Sequence, residues 1–196
     1  MKKELYLMRH GQTRFNLLGK VQGACDSPLT EDGIAQANKA RAYFEKEGLS
    51  FTSAFCSTQE RASDTLEIII GSDQPYTRLK GLKEWDFGMY EGESERLQPK
   101  RKAGQTSYED YFVAYGGESN EDVSRRVNAT LQKIMEEIPD EKALAVSHGG
   151  AIYLFLQEWM PYEQVGKISI SNCAIMHFTY EDGQFSFVEW IDPLTQ

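Results

Sequence analysis

Histidine and cysteine are scarce in this chain, with three of each among 196 residues. The cysteines, Cys25, Cys56 and Cys173, are odd in number and lack zinc-type spacing. That argues against a disulfide framework and for a reducing, cytoplasmic setting. Long apolar runs are missing too. The longest, Ala151–Leu156, cannot span a bilayer, and only a few apolar residues separate Met1-Lys2-Lys3 from Arg9, so no signal-peptide core is expected. Positive charge is in deficit: 21 Lys and Arg against 30 Asp and Glu give −9. Polyanions are repelled by such a surface, so neither a nucleic-acid nor a membrane partner is expected. A small anion responds to the local field of a cleft and is not excluded. The sequence also lacks a G-x-x-x-x-G-K-[ST] loop, a G-x-S-x-G elbow and an H-E-x-x-H pair, which leaves nucleotide-loop, serine-hydrolase and zincin chemistry without support.

What is present is 40% apolar and 26% charged residues, the balance of a soluble globular chain. Short apolar runs alternate with amphipathic stretches. Strands are expected at Leu5–Met8, Phe51–Cys56, Tyr76–Leu79 and Ala143–Val146. Helices are expected from Thr30 as N-cap, over 58–70, from Ser119 to Pro139 along Val123, Val127, Leu131, Ile134 and Ile138, and from Gly149 to Trp159. Asp182-Gly183 between Ala174–Tyr180 and Phe185–Ile191 signals a hairpin, so the last strand is expected to be antiparallel. This alternation predicts an α/β fold: a three-layer α/β/α sandwich around a mostly parallel mixed sheet. One domain over 1–196 is expected. A small cap insertion at about 89–117, with Pro99, a basic run (Arg96, Lys100, Arg101, Lys102) and Tyr108, Tyr111 and Tyr115, is expected to cover the sheet edge.

The chemistry gathers at strand ends. Arg9-His10-Gly11 follows the first strand, Arg61 lies just beyond the second, and His148-Gly149-Gly150 follows a later one. Ligands of open α/β sheets bind outside the carboxyl ends of the strands. Two histidines and two arginines delivered there form a positive pocket for a tetrahedral dianion, with glycines admitting backbone N–H groups. Taken singly, His10 reads as a capping histidine, Arg61 as a helix-surface partner of Glu60 or Asp64, and His148-Gly149-Gly150 as a tight turn. Together at one rim they read as a phosphate site. His177, mid-strand, reads as structural.

The run Leu7-Met8-Arg9-His10-Gly11-Gln12-Thr13-Arg14-Phe15-Asn16 resembles the signature of the histidine phosphatase superfamily, in its phosphoglycerate mutase-like branch. The likeness continues through Gln22-Gly23, Asp26-Ser27-Pro28-Leu29-Thr30, Arg61-Ala62, Leu82-Lys83-Glu84, Phe87-Gly88, Glu91-Gly92, Gly117-Glu118-Ser119, Asp122, Arg126-Val127 and Ser147-His148-Gly149-Gly150. The resemblance implies His10 as nucleophile, Arg9, Arg61 and His148 as phosphoryl clamps, and Glu84 as general acid and then base. Asn16, with Thr13, Gln22 and Gly23 close by, is implied to help bind phosphate. It implies no metal, no organic cofactor, and a small phosphorylated metabolite as partner. Chemistry agrees: arginines beside His10 keep it neutral and nucleophilic, bound phosphate raises the pKa of His148, and an alkoxide leaving group needs a protonated Glu84. Asp86, two residues on, is the local competitor for that role.

Three other readings compete. Cys56 and Arg61 suggest a thiolate phosphatase loop, but they are one residue short of CX5R and Glu60 opposes an anion. A mutase of this family carries a tyrosine three residues after the catalytic Glu, where Phe87 stands, and is longer; both departures point to a hydrolase. An inactive phosphoprotein-binding module would not need the full catalytic set.

Overall fold

In a computed structural model, which describes residues 2–100 and 104–195, a six-stranded mixed sheet lies between two helical layers. The strands are β1 (Lys3–Arg9), β2 (Ser53–Ser57), β3 (Thr77–Leu79), β4 (Lys142–Ser147), β5 (Ile175–Glu181) and β6 (Gln184–Ile191), in the order β3-β2-β4-β1-β5-β6. The helices are α1 (Arg14–Leu17), α2 (Glu31–Lys46), α3 (Glu60–Ile70), α4 (Asn120–Glu137), α5 (Gly149–Trp159) and α6 (Tyr162–Val165).

Strand alternation sorts the core into two layers. Tyr6 and Met8 of β1 and Leu144 and Val146 of β4 face Ala37, Ala40 and Phe44 of α2 and Ala62 and Leu66 of α3. Leu5, Leu7, Ala143 and Ala145, one residue out of phase, face Val123, Val127 and Leu131 of α4 and Phe155 of α5. A strand's period of two allows this only where both faces are covered, as in doubly wound sheets. Local signals set the helix starts: the Thr30 hydroxyl accepts from Gly33 N at 3.0 Å, and the Ser119 hydroxyl from Asp122 N at 3.1 Å.

The expected antiparallel pairing at the C-terminal end of the sheet is present, and the structure adds which of its strands is reversed. The hairpin is present, with Asp182 and Gly183 at φ 50° and 80°, the positive pair that a tight two-residue turn requires. The strand that runs against the others, however, is β5, which pairs antiparallel with both β1 and β6; β6 returns to the direction of β1. The start of β5, not its end, therefore lies at the rim where β1, β2 and β4 finish.

The described residues of the segment expected as a cap hydrogen-bond to the loop after β1 and to α5. Val21 N donates to Glu93 O, Glu95 N to Gly19 O, and the Tyr153 hydroxyl of α5 to Thr106 O at 2.7 Å. Its anchor is Phe112, fully buried, whose ring meets those of Trp85, Phe87, Tyr90, Tyr108 and Tyr111 edge-on. These aromatics attach the segment to the core because no regular element does. Of the basic run, Arg96 and Lys100 line an open hollow with Tyr108 and Tyr162, whereas Arg101 and Lys102 lie outside the described residues. Phe112→Ala should cost about 3–5 kcal/mol, the usual range for truncating a buried aromatic. Urea unfolding measures it, and a loss within about 0.5 kcal/mol, typical of surface positions, would show that the segment is not anchored by this ring.

Candidate active site

The adjacent parallel strands β2, β4 and β1 bring Arg61, His148 and His10 to one rim. The two imidazoles lie with centroids 5.1 Å apart. His10 is 3% exposed, and His148 and Arg61 are fully buried. A charge buried so completely persists only when its donors are satisfied. Arg61 Nη1 reaches Cys25 O at 2.9 Å and Asp26 Oδ1 at 2.8 Å, Nη2 reaches Gly23 O at 3.0 Å, and Nε reaches His148 Nδ1 at 3.1 Å. Its carboxylate partner is thus Asp26, on the loop before α2, and not Glu60 or Asp64.

These bonds decide the histidine tautomers. His10 Nδ1 lies 2.7 Å from Gly11 O, which can only accept, so Nδ1 carries the proton and Nε2 keeps its lone pair. At His148 the order reverses. A guanidinium N–H can only donate, so Nδ1 accepts and the proton sits on Nε2, which is buried and without a partner among the described residues. Burial, and then the guanidiniums of Arg61 and Arg9, hold His10 well below the ordinary histidine value. Burial, Arg61, His10, Arg9 and Arg126 do the same to His148. The two histidines are therefore not set apart by opposed charge preferences, as expected for the phosphate-bound state; in the free site both are neutral and they differ by tautomer. Arg9 uses Nη1 on Ile170 O at 2.8 Å, and its Nε is a second buried donor without a protein partner among the described residues.

Glu84, 8% exposed, sits over the start of α5. Oε1 accepts from Trp85 N and Ala151 N, and Oε2 from Gly150 N, each at 2.8 Å. A helix N-terminus offers unpaired N–H groups and a positive dipole end, and a carboxylate fits there. Asp86 is turned elsewhere, accepting from Gly88 N at 2.9 Å, so Glu84 alone of the two meets α5. Of the glycines expected to admit an anion, Gly150 N–H is thereby taken by Glu84, and Gly11 N–H by the Thr65 hydroxyl at 3.0 Å.

The remaining residues read from sequence divide between site and support. Thr13 and Asn16 form a reciprocal cap at α1, and Asn16 Oδ1 meets Asn172 Nδ2 at 3.4 Å. Gln22 lies between the Thr13 and Ser27 hydroxyls, at 2.8 and 2.7 Å, and the Arg61 guanidinium, at 2.9 Å from Nε and 3.2 Å from Nη1; with its oxygen toward Arg61, both ends of the amide are satisfied, and the Nε–H is shared between Gln22 and His148 Nδ1. Its amide is thereby engaged with Arg61 and the two hydroxyls. The Gly23 N–H goes to Glu91 Oε2 at 3.0 Å. A Cβ there would lie 1.9 Å from Trp85 O, so close approach of two loops fixes the glycine.

Several supporting residues carried no role in the sequence reading. Gln59 receives Glu84 N at 3.0 Å and donates to Gly23 O. The Glu91 carboxylate accepts from Gly23, Ala24, Cys25 and Phe87 N at 2.7–3.0 Å. Asn172 donates to His10 O at 3.0 Å from just before β5; only the reversal of that strand places it there. Burial pushes the Cys56 thiol up to about 12, which removes the thiolate-loop reading. Among the described residues, no three His, Cys, Asp or Glu side chains are grouped as metal ligands.

The arrangement offers one imidazole lone pair, two buried donors and a carboxyl beside them, the parts a phosphoryl transfer through histidine requires. Comparison with known proteins points the same way. A broad-specificity phosphatase of Saccharomyces cerevisiae is 30% identical over 94% of this chain and 82% of its own length. The phosphoglycerate mutase of Bacillus anthracis str. Sterne superposes with a TM-score of 0.84 at 25% identity, covering 99% of this chain and 94% of that one. The phosphoserine phosphatase of Entamoeba histolytica, solved with 3-phosphoglyceric acid, gives 0.79 at 29% identity, over 96% of each chain. The family model for the histidine phosphatase superfamily (branch 1) matches residues 5–193, and the chain belongs to that family.

Proposed function

We propose that the chain hydrolyses small phosphomonoesters through a phosphohistidine at His10, without a metal ion. The observation that carries this reading is the pair of opposed tautomers, a free lone pair on His10 Nε2 facing a site whose second imidazole presents N–H. His10 Nε2 attacks phosphorus, the ester P–O bond breaks, and the leaving oxygen takes a proton from Glu84. Water then attacks the phosphohistidine, Glu84 recovers a proton from it, the N–P bond breaks and orthophosphate leaves. Arg9 Nε and His148 Nε2–H bind the equatorial oxygens, Asn16 adds its amide, and the Arg61 charge acts from behind. Oε2 of Glu84 has a single N–H partner, whereas Oε1 has two, so Oε2 turns to the leaving group at the smaller cost in hydrogen bonds.

The phosphatase reading is favoured over phosphoryl transfer between metabolites by Phe87, whose ring stacks on Trp85 at 6.0 Å where the mutases carry a tyrosine. No helix among the described residues is long and apolar enough to cross a membrane. The three cysteines are free thiols, which fits the cytoplasmic setting proposed here.

Three measurements test the reading. Turnover of an aryl phosphate should survive EDTA and vanish in His10→Ala, and acid-labile, base-stable phosphate should be trapped on the wild type only. A phosphoglycerate that is isomerised rather than hydrolysed would instead establish the mutase. Glu84→Gln should lower kcat/KM for alkyl phosphates by about 10²–10⁴-fold, the usual span of a general acid, and for aryl phosphates far less, because a phenolate leaves unaided. Equal losses on both would remove the acid role.

Ring nitrogen NMR of the free enzyme should show His10 with its proton on Nδ1 and His148 with its proton on Nε2, both neutral at pH 6.5. The unfolded chain, whose histidines titrate near about 6.5, then binds more protons than the folded one below that pH. Stability should therefore fall as pH drops through that value, and the fall should be shallower in His148→Gln. An imidazolium at either position at pH 6.5 would contradict the assignment.

A further inference from the structure

Arg126 lies on α4, away from the strand ends that supply the reacting groups, yet every N–H of its guanidinium is engaged. Nε meets Glu118 Oε1 at 2.8 Å, and Nη2 meets Glu118 Oε2 at 2.7 Å, a two-pronged pair. The other donors reach main-chain oxygens: Nη1 to Gly81 O at 3.1 Å and Lys83 O at 2.6 Å, and Nη2 to Glu84 O at 2.8 Å. An arginine has five N–H donors, and these five bonds use them all.

Glu118 extends the same brace. Its Oε2 accepts from Asp86 N at 3.1 Å, its N–H donates to Asp86 O at 2.9 Å, and its carbonyl accepts from the Trp85 indole at 2.7 Å. Residues 81–86 have no strand or α-helix of their own beyond a short turn at Lys80–Leu82. They follow β3, which is only three residues long. A loop of this kind drifts by ångströms unless its carbonyls and amides are held. Here the hydrogen bonds converge on the stretch that carries Glu84, while His148 feels Arg126 only through its charge. Arg126 therefore holds Glu84 by its main chain, while Gln59 and the α5 N-terminus hold it by its N–H and its carboxyl.

We propose that Arg126, with Glu118, is a positioning residue for the proton-transfer role of Glu84, a proposal that rests on the acid assignment above. The brace fixes where the carboxyl stands relative to the leaving oxygen; it touches neither phosphorus nor His10. Its loss falls on the step that needs an aligned proton donor and spares the step that needs only the nucleophile and the clamps. A simple scaffold residue gives the opposite pattern, a uniform loss.

The test compares wild type, Glu84→Gln, Arg126→Met, Arg126→Lys and Glu118→Gln on a matched alkyl and aryl phosphate, with thermal unfolding of each. Arg126→Met should depress alkyl kcat/KM about tenfold or more beyond the aryl loss, since a displacement near 1 Å can cost about 10²-fold. Arg126→Lys keeps the charge but replaces a planar fork with a point donor, so it should fail to restore the ratio. Glu118→Gln keeps the shape and one acceptor, and should fall between. The double variant Arg126→Met/Glu84→Gln should show no further change in the ratio. If Glu84→Gln shifts the ratio and the Arg126 variants do not, the positioning role is wrong and the acid role stands. If Glu84→Gln itself leaves the ratio unchanged, both fail together. Full rescue by Arg126→Lys would assign the effect to charge rather than position. Should Arg126→Met not fold, Arg126→Lys and Glu118→Gln alone decide it.

Discussion

A guanidinium with no exposure to water is the constraint from which the site follows. Arg61 cannot stay charged inside the protein unless its donors are met, and each group that meets them is thereby fixed. Asp26 and the Gly23 and Cys25 carbonyls bring the 22–26 loop down onto the rim. His148 supplies the remaining acceptor, and in accepting through Nδ1 it commits its proton to Nε2. The same cation, with burial, disfavours protonation of His10, which keeps bare the nitrogen proposed to attack. One interaction set thus orders a loop, selects a tautomer and preserves the proposed nucleophile.

The acidic composition takes on a second meaning in this light. Glu91 gathers four backbone N–H groups from two loops, Glu84 gathers three, two of them at a helix start, and Glu118 receives a guanidinium fork and an amide. None of the three belongs to a regular element, and each organises irregular backbone that otherwise has nowhere to place its donors. The excess of carboxylates in this chain is in part internal scaffolding of the catalytic rim. Composition alone reads it only as surface charge.

The parts of the fold that were legible in sequence are those with periodic signals. The stripe Val123, Val127, Leu131, Ile134 announced α4, and Asp182-Gly183 announced the hairpin. His10, Arg61 and His148 were legible because strand ends in such sheets share a rim. The direction of β5 was not legible, because a hairpin fixes two strands relative to each other and not to the sheet, and Asn172 was lost with it. The support from Gln59, Glu91 and Arg126 was invisible for a different reason. Most of those contacts join residues 25 to 68 positions apart in sequence through irregular backbone, where no period exists to read. The glycines were read as an anion cradle because glycine frees an N–H; which acceptor takes it depends on side chains that arrive from elsewhere.

The way charge is distributed at the rim also bears on how the site distinguishes transition state from product. Orthophosphate carries the same oxygens as the group being transferred, so a pocket of unshared cations would retain it. Here the Arg61 charge is already shared with Asp26 and two carbonyls, and the field of Glu84 reaches Arg9. The donor presented by His148 is a neutral N–H. Neutral donors make weaker bonds to an anion than ionised ones, by roughly a factor of two. In the proposed mechanism the advantage of such a site lies in fixed orientation: donors held in place before phosphate arrives cost no reorganisation as the phosphoryl group flattens, whereas a tetrahedral product would meet them less well. A site built from held dipoles and shared charges can thus favour transfer without holding on to phosphate, and the dense internal bonding around Arg61 is what lets it work that way.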